Sequence, residues 1–90
     1  MYKIAIFPLH NILIFYLTIF MVHRVHNKIR LIRIEKNLSQ EYIATQLNIS
    51  QSYYAKIENG KKEMSIKMFF DILNILGEDI ISFFSEIDIK

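Results

Sequence analysis

The most constraining feature of this sequence is a pair of short amphipathic segments separated by only three residues, Asn48-Ile49-Ser50. Each segment has apolar residues at the spacing of one helical face: Ile43, Ala44 and Leu47 in the first, Tyr54 and Ile57 in the second. Two helices so short and so closely joined cannot be collinear, so they must cross at a steep angle. The small side chain of Ala44 leaves room for that crossing.

The residues of the break explain how one helix ends and the next begins. Asn48 tolerates the left-handed backbone conformation that ends a helix. Ile49 is an apolar plug, and the Ser50 hydroxyl can accept free backbone N–H groups of the following turn. The spacing therefore predicts a helix-turn-helix unit, in which the second helix faces outward and fits a major groove.

The same signals predict three further helices. The first ends at Asn37, and Ser39 caps the helix of about residues 40–47. The helix of about residues 51–58 ends at Asn59-Gly60. Ser65 caps a fourth helix that ends at Gly77, and a fifth spans about residues 79–84. With 2 Gly and 1 Pro in 90 residues, the composition favours helices over a many-stranded sheet, and the predicted fold is all-α with five helices.

The residue types exclude several classes of function. The chain has no cysteine, so it has no disulfide, thiolate metal site or catalytic thiol. Its Ser, His and Asp residues show no triad spacing, and its 3 His include no pair at metal-ligand spacing on a helix. We therefore predict a protein that is not an enzyme and has no metal or cofactor. His23 and His26 are interpreted as flanking residues.

Charge is divided unevenly along the chain. Residues 24–62 contain 8 Lys/Arg against 3 Glu, a net charge of +5, whereas residues 63–90 contain 2 Lys against 6 Asp/Glu, a net charge of −4. This asymmetry indicates that the middle of the chain faces a polyanion and the C-terminal part faces elsewhere.

The run from Leu38 to Lys61, which reads L-S-Q-E-x-I-A-x-x-L-x-I-S-Q-S-x-x-x-K-I-E-N-G-K, resembles the Xre/Cro/C1 family of DNA-binding regulators. The resemblance implies a five-helix, lambda-repressor-like domain from about Asn27 to Phe84. It also implies a sequence-specific repressor that binds double-stranded DNA as a homodimer, with half-sites about 10 bp apart.

Roles for individual residues follow from the same resemblance. It implies that Gln51, Ser52 and Lys56 read base edges, as glutamine with adenine and lysine with guanine. It implies an ion pair between Arg33 and Glu58 that ties the first helix to the third. The positions that resemble phosphate contacts are Gln40, Tyr53, Asn59, Lys61 and Lys62.

The chain divides into an apolar N-terminal extension (1–22), the helix-turn-helix domain (23–84) and a polar tail (85–90). Three interpretations of the extension stay open. In the first, residues 1–20 derive from an early start-codon assignment, because Met21 would be a normal start for this family. In the second, the segment is a membrane anchor, and the basic residues that follow it hold the domain in the cytoplasm. The third interpretation is a packing element, either a hairpin around Pro8 to Asn11 or a dimerising helix.

Alternatives also remain for the function, all of them cytoplasmic. One alternative is an antitoxin that neutralises a toxin protein, because proteins that resemble such antitoxins share this fold. Another is a controller protein of a restriction–modification system, which is a variant of the regulator. For the dimer surface, the apolar and acidic fourth and fifth helices provide the candidates Phe83, Phe84 and Ile87.

Overall fold

The computed structural model describes residues 2–85, and the side chains of all of these except residues 2–9, 18 and 19. This range contains five α-helices, which confirms the predicted all-α fold: α1 (Tyr2–Glu35), α2 (Gln40–Leu47), α3 (Gln51–Glu58), α4 (Ile66–Leu76) and α5 (Ile80–Ser85). The predicted tail from residue 86 onward, with Ile87, lies outside the described residues.

Three of the helices end in the same way, with a left-handed residue at the position the sequence predicts. Asn37, Asn48 and Gly77 have φ values of 60°, 63° and 71°. After each, the next backbone N–H donates to a carbonyl five residues back: Leu38 to Arg33 at 3.0 Å, Ile49 to Ala44 at 3.0 Å and Glu78 to Leu73 at 2.9 Å. These bonds satisfy carbonyls that the end of a helix leaves free.

Serine begins the three central helices. The hydroxyls of Ser39, Ser50 and Ser65 each accept a hydrogen bond from the backbone N–H three residues later, at 2.9, 3.1 and 3.0 Å. Each serine has extended backbone angles, as an N-cap residue requires. The boundaries of α2, α3 and α4 are therefore set by side chains that lie next to them in sequence.

The core lies where α1, α2, α3 and α4 meet. Ile43, Tyr54 and Ile57 are fully buried, and Ala44 is 2% exposed at the crossing of α2 with α3. The buried cluster also contains Ile29, Ile32, Ile72, Leu73, Leu76 and Phe83. Burial of Phe83 contradicts its prediction as a dimer-surface residue, because its ring packs inside the domain while the adjacent Phe84 is 44% exposed.

α1 begins far earlier than the start of the helix-turn-helix domain, which was predicted at residues 23–27. It spans 34 residues, from Tyr2 to Glu35, and runs through Pro8 and Asn11. The hairpin alternative is therefore wrong: a two-residue hairpin turn needs positive φ, and among the described non-glycine residues only Asn37 and Asn48 have it. No helix in the described residues meets the length and hydropathy needed to cross a membrane.

His26 has a structural environment that the sequence did not indicate. It is 7% exposed on the inner side of α1, where burial lowers its pKa and a hydrogen bond with the backbone of Ile57 partly offsets that effect. Its interpretation as a flanking residue is wrong, because the α1–α3 contact encloses the ring.

Candidate nucleic-acid interface

α3 divides into a buried face and an exposed face. Tyr54, Ile57 and Glu58 face the core. The three predicted base-reading residues, Gln51, Ser52 and Lys56, are all exposed. Because the buried face is fixed against α1 and α2, the exposed face is held at a constant angle to the rest of the domain. A duplex groove requires this arrangement of the helix that enters it.

The N-terminal turn of α3 presents polar groups. The Ser50 hydroxyl accepts the Tyr53 N–H at 3.1 Å and lies 3.4 Å from the Ser52 hydroxyl. Gln51 extends from the same turn with its amide exposed. An exposed amide at the start of a helix can pair with a base edge, while the free N–H groups of the turn favour a nearby phosphate.

The loop after α3 carries the predicted phosphate contacts. Gly60 has φ of 83°, and this turn lets the Lys61 N–H donate to the Lys56 carbonyl at 2.8 Å. The Asn59 side-chain oxygen accepts the Lys61 N–H at 3.1 Å, which orders the loop further. Asn59, Lys61 and Lys62 are exposed, and Tyr53 is 40% exposed. The structure thus brings these side chains together beside the exposed face of α3.

Gln40, at the start of α2, is held by a residue of α3. Its Nε2 donates to Glu58 Oε1 at 3.1 Å, and the residue is half-buried. That amide nitrogen has a second N–H, and the side-chain oxygen is an additional acceptor. The bond to Glu58 therefore limits how Gln40 can turn, and leaves one N–H for a phosphate.

Glu58 connects α1, α2 and α3. Arg33 donates to it twice, from Nε to Oε2 at 2.7 Å and from Nη2 to Oε1 at 2.9 Å. The Tyr54 hydroxyl donates to Oε2 at 2.8 Å, so with Gln40 the carboxylate accepts four hydrogen bonds. Arg33 also donates from Nη1 to the Leu38 carbonyl at 2.8 Å. We call these four side chains, Arg33, Gln40, Tyr54 and Glu58, the Glu58 network.

The network determines the charge states of its members. Burial alone would raise the pKa of Glu58, but the hydrogen bonds from Arg33, Gln40 and Tyr54 outweigh it and the pKa is lowered. The hydrogen bond to Glu58 raises the pKa of Arg33, and burial raises that of Tyr54. Glu58 and Arg33 are therefore both charged at neutral pH and lock the two helices together.

Two contacts of the network were not predicted from the sequence. Tyr54 was expected in the core, but not its hydroxyl bond to Glu58, although the two residues are four apart on one helix and so share a face. The bond between Gln40 and Glu58 joins residues 18 apart in sequence. No local pattern indicates it, because it depends on the angle at which α2 crosses α3.

Comparison with known proteins agrees with this geometry. The helix-turn-helix family matches residues 29–83, which is more than half of the chain. The chain belongs to the helix-turn-helix family. The match begins in the part of α1 that packs on the core and ends at Phe83 of α5.

Two relatives and one solved structure resemble this helix-turn-helix protein. Control protein C.MunI of Mycoplasma sp is 39% identical over 66 residues, which cover 72% of this chain and 89% of the relative. An uncharacterized HTH-type transcriptional regulator, YqaF of Bacillus subtilis (strain 168), is 36% identical over 55 residues, 61% of this chain and 72% of the relative. The crystal structure of a tyrosine-to-alanine mutant of the restriction-modification controller protein C.Esp1396I superposes with a TM-score of 0.69 at 28% identity, covering 76% of this chain and 88% of that one.

Proposed function

We propose that this chain is a sequence-specific DNA-binding transcriptional regulator that acts as a dimeric repressor. In this function α3 enters the major groove, with Gln51, Ser52 and Lys56 at the base edges. Gln40, Tyr53, Asn59, Lys61 and Lys62 hold the flanking phosphates.

One observation supports the proposal most directly. Glu58, the only charged residue that α3 buries, is hydrogen-bonded inside the domain, and the polar residues on the opposite face of α3 are exposed. Glu58 accepts four hydrogen bonds inside, whereas Gln51, Ser52 and Lys56 are exposed. Any amphipathic surface helix has a polar outer face, but α3 is also held in a fixed orientation by the four hydrogen bonds to Glu58. A helix that reads bases needs both, because a tilt of the helix moves every side chain relative to the groove.

Charge supports the same orientation. The phosphate candidates Lys61 and Lys62 lie beside α3, and residues 24–62 carry a net charge of +5 from 8 Lys/Arg and 3 Glu. Basic side chains near a duplex displace condensed counterions, so we expect the affinity to fall steeply as salt rises.

A dimer is part of the proposal because a single two-turn helix such as α3 reads few base pairs. Two copies related by a two-fold axis place two α3 helices in successive major grooves, with half-sites about 10 bp apart. Of the surface residues predicted for the dimer, Phe84 remains a candidate because it is exposed, whereas Phe83 is not.

A second candidate, the controller protein of a restriction–modification system, is a special case of the first. It is favoured by the likeness to C.MunI and by the fold shared with C.Esp1396I, both of which are named as control or controller proteins. Methyltransferase and endonuclease genes beside the gene for this chain, and binding to the DNA upstream of them, would support this candidate. Binding of the chain only to other DNA would exclude the controller function and leave the general regulator.

Selection of bound duplexes from a random-sequence pool tests the proposed function without assuming an operator. The full chain should enrich a two-fold symmetric motif, and Gln51→Ala should lose the preference for a base in each half of that motif. Thr45→Ala, at an exposed position of α2 outside the proposed contacts, is the matched control and should enrich the wild-type motif. Absence of an enriched motif, or one that Gln51→Ala leaves unchanged, would refute the proposal.

A further inference from the structure

The part of α1 from Ile12 to Leu17 exposes apolar side chains in every direction. Six consecutive residues from Ile12 to Leu17 are 46–66% exposed, and Phe20, Met21 and Val22 are 37–47% exposed. Because successive residues of an α-helix point about 100° apart, six in a row cover the whole circumference. We call residues 12–22 the apolar segment. It contains no charged residue.

A groove lies where the apolar segment meets the folded domain. Its volume is about 530 Å³, and its walls are Met21, Val22 and Val25 of α1 with Met64, Phe69 and Phe84 opposite. Ile66 also lines the groove and is 76% exposed. One chain therefore carries both the apolar segment and an apolar groove next to its C-terminal end.

We propose that the apolar segment is an interface between two copies of this chain, paired antiparallel, with each segment lying in the groove of the other copy. The arrangement is two-fold symmetric, because the apolar segment of each copy lies in the groove of the other. It deepens the proposed function, since it names the surface that makes the regulator a dimer.

The exposed area has the size that a stable dimer needs. Nine large apolar side chains of the apolar segment are about half exposed, which corresponds to roughly 900 Å² if each presents on the order of 100 Å². A standard interface buries about 800 Å² per partner, whereas a monomer rarely exposes an apolar patch above a few hundred Å². The partner's helix covers only part of the circumference of each apolar segment, and the walls of the partner's groove, including Phe84, cover a further part.

The side chains of the apolar segment favour a second copy of the chain over a membrane surface as its binding partner. A helix that lies on a bilayer has one apolar and one charged face. The apolar segment has no charged face, since apolar side chains from Ile12 to Leu17 point in all directions. A groove between α1 and Phe84 accepts a helix, which a flat lipid surface does not supply.

The pairing also gives a spacing that suits DNA. If residues 12–16 of one copy lie over residues 25–21 of the other, the two-fold axis falls between Leu17 and Phe20. Ile29 and Ile32, on which the rest of each domain packs, then lie roughly 30–40 Å from their equivalents along the helix axis at about 1.5 Å per residue. One turn of DNA separates half-sites by about 34–36 Å.

Sedimentation velocity of the full chain, without detergent, tests the proposal. We expect a dimer at micromolar concentration. Leu17→Glu should weaken it at least tenfold, and so should Ile66→Glu on the groove side. Leu31→Glu is the matched control, since Leu31 lies on the same helix with 52% exposure against 56% for Leu17 but outside the proposed interface. It should dimerise like the wild type, and far-UV circular dichroism should show that all three variants fold.

Several outcomes would overturn the pairing. These are a monomer at tens of micromolar, assemblies of no fixed size, or a dimer that Leu17→Glu and Leu31→Glu affect equally. A monomer that pellets with phosphatidylglycerol–phosphatidylethanolamine vesicles would assign the segment to a membrane instead. Gln51→Ala separates this proposal from the proposed function, because it should remove the preference for one base in each half-site and leave the dimer intact.

Discussion

Replacing Arg33 with methionine should strongly destabilise the domain through the Glu58 network. The substitution keeps much of the aliphatic stem but removes both hydrogen bonds to Glu58 and the bond to the Leu38 carbonyl. The side chain of Glu58 is only 2% exposed, so its charge would remain buried without its cationic partner.

The magnitude follows from that burial. Removing one partner of a buried ion pair costs about 3–5 kcal/mol, and the bonds from Gln40 and Tyr54 that remain place the expected loss near the lower end. Since 1 kcal/mol shifts the melting temperature of a domain this size by roughly 4–8 °C, the midpoint should fall by at least about 12 °C. Urea unfolding followed by circular dichroism gives the free energy directly.

The double variant Arg33→Met with Glu58→Leu provides the control. It removes the charge together with its partner, so it should lose clearly less stability than the sum of the two single variants. A loss below about 1 kcal/mol for Arg33→Met, or strict additivity in the double variant, would refute the argument that the pair is coupled in a poorly solvated site.

Three further predictions concern stability. Tyr54→Phe keeps the ring but removes one of four donors to Glu58, so it should lose about 1–2 kcal/mol in urea unfolding; wild-type stability would contradict this. Burial lowers the pKa of His26 below its ordinary 6.5, so the unfolded chain binds the proton first and the free energy of unfolding should fall as pH drops below about 6.5. His26→Gln should flatten that dependence in urea titrations, and an unchanged slope would count against it. Asn48→Ala should lose about 1–2 kcal/mol because φ is 63°, whereas Asn48→Gly should not; equal melting temperatures would contradict the assignment.

The boundaries of the central helices were predictable because their causes are local. Ser39, Ser50 and Ser65 cap the residues that follow them directly. Asn48 and Gly77 end helices through their own backbone preference. In each case the decisive atoms lie within a few residues in sequence, so the pattern alone carries the information.

The remaining features depend on how the helices pack. Phe83 and Phe84 are adjacent and equally apolar, and a six-residue helix is too short to show which one faces inward. The bond from Gln40 to Glu58 depends on the crossing of α2 and α3. The start of α1 was missed because no stop signal lies between His23 and Asn27, so the helix continues where a domain boundary was predicted.

The exposed positions of the candidate site were predicted by resemblance, and the structure adds what holds them. Gln51 and Lys56 are exposed because Tyr54, Ile57 and Glu58 occupy the inner face of α3. Their contact with DNA stays a prediction, since base pairing depends on the docking angle of the whole domain.

Fluorescence anisotropy of the full chain on its selected duplex and on a scrambled duplex, titrated with salt, tests whether α3 reads the DNA sequence. Gln51→Ala should lose about 1–3 kcal/mol of discrimination between the two duplexes. Lys61→Ala should weaken both equally and reduce the salt slope of the dimer by about 2, because each copy loses one phosphate contact. If the Gln51→Ala variant instead discriminates between the duplexes as well as the wild type does, then α3 does not read the DNA sequence through Gln51 and the proposed role of this residue is wrong.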